Sequence, residues 1–160
     1  FDETKEASKM NIATRLSALN FLDNGGAIGV FPGGTVSTAQ NPFGVPMDPG
    51  WRSFTAKMIT RSDAQVVPIF FEGHNSRLFQ VASHIHYNLR MGLLIKEFKS
   101  KVGNPVKIAI GNPLSDTAIK SRSGNPRILM DFLREETYKL SRTPLDNFNY
   151  GYEFESRYKI

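Results

Sequence analysis

The segment Phe31 to Thr38 reads Phe-Pro-Gly-Gly-Thr-Val-Ser-Thr, two adjacent glycines beside the hydroxyls of Thr35, Ser37 and Thr38. Glycine has no Cβ, so backbone amides there can approach an anion closely, and the hydroxyls add donors. A phosphate cradle is the chemistry such a loop supports; an ordinary strand-to-loop turn is the alternative. No Lys follows the glycines, so this is not a Walker A loop, and the stretch from Gly25 does not match the dinucleotide fingerprint. Ser37 lacks a glycine two residues before or after it, which rules out a nucleophile elbow. The histidines are His74, His84 and His86. The spacing of the last two suits one face of a strand rather than the helix expected there, and no acidic residue lies close by, so no metal site is expected.

The elements that must position this loop follow from periodicity. Ile12, Leu16, Leu19 and Leu22 make the apolar stripe of an amphipathic helix over Thr4 to Asn24, ended by Asn24, Gly25 and Gly26. Ala27 to Phe31 is a short apolar run that reads as a buried strand leading into the glycines. Asp48 and Pro49 suggest an N-cap and first turn, with a helix through Trp51, Phe54 and Met58 to about Ser62. Gln65 to Phe71 reads as a strand that Pro68, which cannot donate to a ladder, must break, bulge or place at an edge. Asn75 can cap a helix to Ile85, followed by a second helical stretch through Phe98. Pro105 to Gly111 reads as another strand, and Asn125 and Pro126 open a last helix reaching Leu140. This alternation predicts an α/β layered fold with a largely parallel sheet flanked by helices.

With 160 residues, 40% of them hydrophobic, the chain is long enough for one globular domain. It has no apolar run long enough to span a bilayer, and its first residues lack a signal-peptide pattern. Cysteine is absent, which excludes disulfides and thiolate chemistry and fits a cytoplasmic setting. The net charge of +5 is concentrated late: Arg90 to Arg127 holds eight bases against Glu97 and Asp116. Such a segment is either a solvated basic face or a site for an anionic partner: anionic lipid, an acidic carrier protein or nucleic acid. Nucleic acid is disfavoured, because no aromatic RNA-binding strand, zinc finger or basic zipper is present. In the tail, Phe148, Tyr150, Tyr152, Phe154 and Tyr158 alternate, as on one face of an extended arm packed on the body, with contact of these aromatics with a membrane interface as the alternative.

Three blocks together resemble a known family: Gly25 to Thr38 (GGAIGVFPGGTVST), Asp48 to Met58 (DPGWRSFTAKM) and Val66 to Ile85 (VVPIFFEGHNSRLFQVASHI). In order and spacing, over most of residues 5 to 142, they are similar to the phospholipid and glycerol acyltransferases of the lysophosphatidic acid acyltransferase type. They look closest to its bacterial hemolysin-like branch, related to ornithine-lipid synthesis. The resemblance implies a glycerol-3-phosphate acyltransferase-like fold, with residues 1–143 the C-terminal portion of the domain and 144–160 an aromatic-rich arm. It implies that Gly33, Gly34, Thr35 and Ser37 bind the polar part of the acceptor, and that Val67, Pro68 and Phe70 shape an apolar wall.

Gly33 and Val36 stand where the family commonly has Glu and a phosphate-binding Arg. The compensating cation must then come from elsewhere, with Arg52, Lys57 and Arg77 the local candidates. The family's catalytic pair, His with Asp five positions later, is absent: Phe79, Leu89 and Met91 follow the three histidines at that distance. The chain opens on Phe1 about thirty residues before the glycine block, so a pair lying upstream and missing by truncation is the expectation, and the piece alone is expected to be inactive. The implied reaction moves a fatty acyl group from acyl carrier protein or acyl-CoA to a lysolipid hydroxyl, without metal or prosthetic group. It would take place peripheral to the inner face of the cytoplasmic membrane, in contact with anionic lipid. A non-catalytic lipid or acyl-carrier binding module, and a small phosphate- or nucleotide-binding domain, are the competing readings.

Overall fold

The computed structural model describes residues 5–154. Thr4, at the expected start of the first helix, and Tyr158 of the tail lie outside the described residues. Helix α1 spans Lys5–Asp23 and closes as expected, the Gly25 and Gly26 amides bonding to the Leu22 and Phe21 carbonyls at 2.9 Å. Its stripe does not enter a core, however. Ile12 and Leu16 are 53% and 61% exposed, and α1 touches the body chiefly through α2 (Phe54–Ile59), where Arg15 lies over the Phe54 ring.

Two further expectations are corrected. Ala27–Phe31 forms no strand: it has no strand partner among the described residues, and Ile28, Val30 and Phe31 are exposed. An extended apolar run becomes a buried strand only when a neighbour takes its backbone groups. Helix α2 is shorter than the expected Asp48 to Ser62 and starts after Ser53, because the Asp48 carboxylate is engaged with side chains rather than with helix amides.

Strands β1 (Ile69–Phe71) and β2 (Ile108–Ile110) pair antiparallel, Phe70 opposite Ala109. The strand begins just past Pro68, whose carbonyl still accepts from Gly111 N at 2.9 Å. Two strands do not display the layered, largely parallel sheet expected from the alternation of elements. Period two puts Ile69, Phe71, Ile108 and Ile110 on one exposed face, while Phe70 turns toward α6 (Pro126–Tyr138).

Helix α3 (Arg77–Ile85) is capped by Ser76, whose Oγ accepts from Phe79 N, and not by Asn75, whose Oδ1 accepts from Lys101 Nζ. Helix α4 (Tyr87–Lys101) packs on α3. A short α5 (Asp116–Lys120), unforeseen from periodicity, is capped by Ser115. Helix α6 opens as expected, Asn125 Oδ1 accepting from Arg127 N and Ile128 N, but ends at Tyr138, short of Leu140. Ala56, Ile119, Leu129, Met130 and Leu133 from α2, α5 and α6 form the core, with Trp51, Val66, Leu114 and Phe132 around them. Each such large side chain contributes roughly 1.5–3 kcal/mol by leaving water.

The tail lies against the glycine segment. Gly151 N donates to Asp48 O at 2.8 Å and Tyr152 N to Thr38 O at 2.9 Å, beside the Thr38–Met47 bridge. A Cβ at Gly151 would fall 1.8 Å from Met47 O, so no other residue fits there without backbone movement. Among the described residues no helix is long and apolar enough to cross a membrane.

Candidate functional site

The glycine segment is a turn anchored at both ends. Gly34 N donates to Phe31 O at 3.2 Å, and Gly34 takes φ +63°, a left-handed conformation that glycine adopts without a Cβ clash. Arg52 N donates to Pro32 O at 3.0 Å, which ties the turn to the approach of α2. Gly33 is buried against the Asp48 carboxylate, whereas Gly34 is exposed and Thr35 half-buried, so the turn offers its outer edge to solvent.

Asp48 is the hub beneath it. One carboxylate oxygen accepts from Ser37 Oγ at 2.5 Å and the other from Trp51 Nε1 at 2.9 Å. The Asp48 amide donates to the Tyr138 hydroxyl at 2.9 Å, and the Asp48 carbonyl accepts from Arg134 and Gly151. Burial, and then the neighbouring Asp48 charge, push the Tyr138 hydroxyl up to about 12, against smaller opposing effects of Arg134 and of hydrogen bonds from Asp48 and Ser37. Tyr138 is therefore a neutral phenol near pH 7. Its ring lies 5.4 Å from that of Phe70, so β1 reaches the glycine turn through α6.

Two buried arginines hold the chain around this hub. Arg134, 1% exposed, donates to the carbonyls of Phe148, Asn149 and Asp48, pinning tail to loop. Arg90, 4% exposed, donates to Thr38 Oγ1 at 2.8 Å, Ser83 Oγ at 2.9 Å and Val36 O at 3.3 Å. Its guanidinium lies 4.8 Å from the Phe79 ring centroid and 3.9 Å from that of Phe154, and burial pushes its pKa down. On α3, Gln80 Oε1 accepts from Ala39 N, and His84 Nε2 bonds to Ala39 O.

The expected site residues are thus divided. Gly33, Gly34, Thr35 and Ser37 share one turn, and Arg52 joins them, its Nε 4.0 Å from where a Cβ on Gly34 would lie; its guanidinium also pairs with Glu153 at 3.0 Å. Arg77 is held elsewhere, donating to Gly44 O at 2.6 Å, and Lys57 is exposed on α2. Pro68 lines a shallow depression of about 480 Å³ with Leu114, Phe132, Lys139 and Leu140. Val67 is 40% exposed. Sequence reading missed Asp48 as a hub, Tyr138 and Arg134, and it placed Arg90 on a basic surface. Their partners lie far away in the chain, so no local spacing marks them. Among the described residues, no group of three or more His, Asp or Glu side chains comes together in a way that could hold a metal ion.

A family model described as acyltransferase matches residues 5–147, from α1 through the start of the tail. No curated protein and no solved structure matches the chain.

Proposed function

The chain belongs to an acyltransferase family, and on that premise we propose that it supplies the acceptor-binding side of fatty-acyl transfer to a lysolipid-type hydroxyl. The observation that carries this reading is the exposed Gly34 turn, with Arg52 beside it, set on the Ser37–Asp48–Trp51 knot. In this reading Gly33, Gly34, Thr35 and Ser37 receive the polar part of the acceptor. Arg52 supplies the cation that Val36 cannot, and Pro68 and Phe70 line the apolar side. The three sequence blocks in register also support the finer placement in the hemolysin-like, ornithine-lipid-related branch.

The acceptor hydroxyl oxygen bonds to the carbonyl carbon of a thioester on acyl carrier protein or coenzyme A. The carbon–sulfur bond breaks, and the proton lost by the hydroxyl ends on the departing sulfur. Proton removal needs a general base, and no histidine of this chain has an aspartate five positions later. The proposed role is accordingly binding and orientation, with the transfer step not expected from these residues alone. The reaction is placed at the inner face of the cytoplasmic membrane, with the chain peripheral to it.

Isotope-labelled protein titrated with a short-chain lysophosphatidic acid and with a lyso-ornithine lipid tests the site. Amide shifts should gather at Gly34, Thr35 and Ser37, and Arg52→Gln should weaken binding about tenfold, equivalent to roughly 1.4 kcal/mol. Shifts elsewhere, or binding indifferent to Arg52→Gln, would sink the reading. A non-catalytic lipid or acyl-carrier binding module is the second reading, favoured by Val36, whose carbonyl is turned inward to Arg90. Labelled acyl transfer that appears on adding a polypeptide with a His-x-x-x-x-Asp pair supports the enzyme; lipid binding that never leads to transfer supports the module.

A further inference from the structure

Helix α4 is built inside out. Its buried side chains are Arg90 and Glu97, both charged, while Met91, Ile95, Phe98 and Val102 just past its end are 42%, 62%, 72% and 66% exposed. With Tyr87, 61% exposed, these residues recur at steps of four, four, three and four, within about 80° of arc at 3.6 residues per turn. Lys99 borders one edge of the stripe, with Lys96 beyond it, while Lys101 near the other edge reaches inward to Asn75 Oδ1 at 2.7 Å.

The inward side is occupied for a reason. Arg90 clamps Val36 and Thr38 of the glycine segment, and the Glu97 carboxylate accepts from the Ser76 amide and hydroxyl at the start of α3. Burial alone would push the Glu97 carboxyl up, but the Ser76 hydrogen bonds and the charges of Lys101 and Lys96 hold it below its ordinary value. Rolling α4 over to bury the stripe would break both sets of contacts. It would also expose the one acid of the helix, which now leaves Lys96 and Lys99 as the charges that α4 turns outward, Lys101 being bonded to Asn75 Oδ1 at the start of α3.

We propose that the outward face of α4 is a membrane-docking surface. Met91, Ile95 and Phe98 enter the headgroup boundary of an anionic bilayer while the lysines meet lipid phosphates. An exposed apolar stripe with Lys beside it binds an anionic interface through apolar burial and the attraction of its charges to lipid phosphates. A second copy would set like-charged rims against each other, and an acidic carrier protein would answer the lysines but leave the stripe uncovered. The inference rests on the lipid-acceptor reading for its purpose alone: vesicle binding can fail while acceptor binding at Gly34 stands, and the reverse.

Sedimentation with phosphatidylcholine vesicles, with and without roughly a quarter phosphatidylglycerol, tests it. The wild type should sediment with the anionic vesicles only. The doubly substituted Ile95→Gln, Phe98→Gln protein should bind at least about tenfold more weakly with an unchanged far-UV circular dichroism spectrum, and Lys96→Glu, Lys99→Glu should remove the preference for anionic lipid. Phe98→Trp should show a blue-shifted emission on binding, absent when tryptophan is placed instead at exposed Lys57. The proposal is overturned by equal sedimentation of wild type and double variant or by no sedimentation at all. It is equally overturned if the stripe variants alter only self-association, or only capture of an acidic carrier protein.

Discussion

Helices α4 and α6 each carry an apolar stripe, sharply set off from the polar face in α6 and weakly in α4, and they point these stripes in opposite directions. Helix α6 turns Leu129, Met130 and Leu133 into the core, each at most 5% exposed, whereas α4 turns Arg90 and Glu97 inward and leaves its apolar stripe in solvent. Periodicity reports that a helix has two unlike faces; it does not report which face the rest of the molecule needs. Helix α6 meets apolar neighbours, Ala56, Ile119 and the ring of Phe70. Helix α4 meets a loop rich in carbonyls and hydroxyls, which a cation satisfies and a methyl group does not.

The sharpest break in this comparison is truncation in α6. Leu129→Ala, at a fully buried position, should cost about 3 kcal/mol by urea unfolding, because the cavity adds to the lost transfer energy. Next is the pH response of Tyr138. Its folded value of about 12 lies above the ordinary 10.0, so the unfolded chain releases that proton first. The contribution is fully present below about pH 10 and falls away as pH rises to about 12, by about 2 to 3 kcal/mol in total. The difference in stability between wild type and Tyr138→Phe should change by that amount over this window and stay flat below it.

Arg90→Met keeps the stem of the side chain but removes its donors, and should cost about 2 kcal/mol. A more specific readout is hydrogen exchange: the Thr38 amide, bonded to Met47 O, should lose protection before the amides of α6 do. That result separates a residue that positions the glycine segment from one that merely fills space. At the small end, Phe98→Gln on the outward face of α4 should change stability by no more than about 0.5 kcal/mol, while the equally apolar Leu133→Gln should unfold the protein. Comparable losses for the two would mean that the α4 stripe is packed after all.

The legible parts are those whose causes sit within a turn or two of chain. The Asn125–Pro126 cap, the glycine-ended α1 and the interruption that Pro68 imposes on the expected Gln65 to Phe71 strand all depend on neighbours a few residues away. In the candidate site, the turn carrying Gly33, Gly34, Thr35 and Ser37 was legible in the same way, since these residues are contiguous. Asp48 shows where local reading fails: beside Pro49 it looks like a helix cap, but Ser37 and Trp51 take its carboxylate and Tyr138, ninety residues on, meets its amide.

The sequence by itself determined the glycine end of α1 and the Asn125–Pro126 start of α6, which residues form the glycine turn, and the kinship carried by three blocks in register. Tertiary structure alone decided that Arg90 and Arg134 are internal clamps, that Glu97 is withdrawn from the surface, and that apolar Ala27–Phe31 finds no strand partner among the described residues. The physical reason is range. Caps and turns are satisfied by adjacent backbone groups, but burial of a charge or of an apolar run depends on what a distant segment brings to it, as Thr38 does for Arg90 fifty-two positions away.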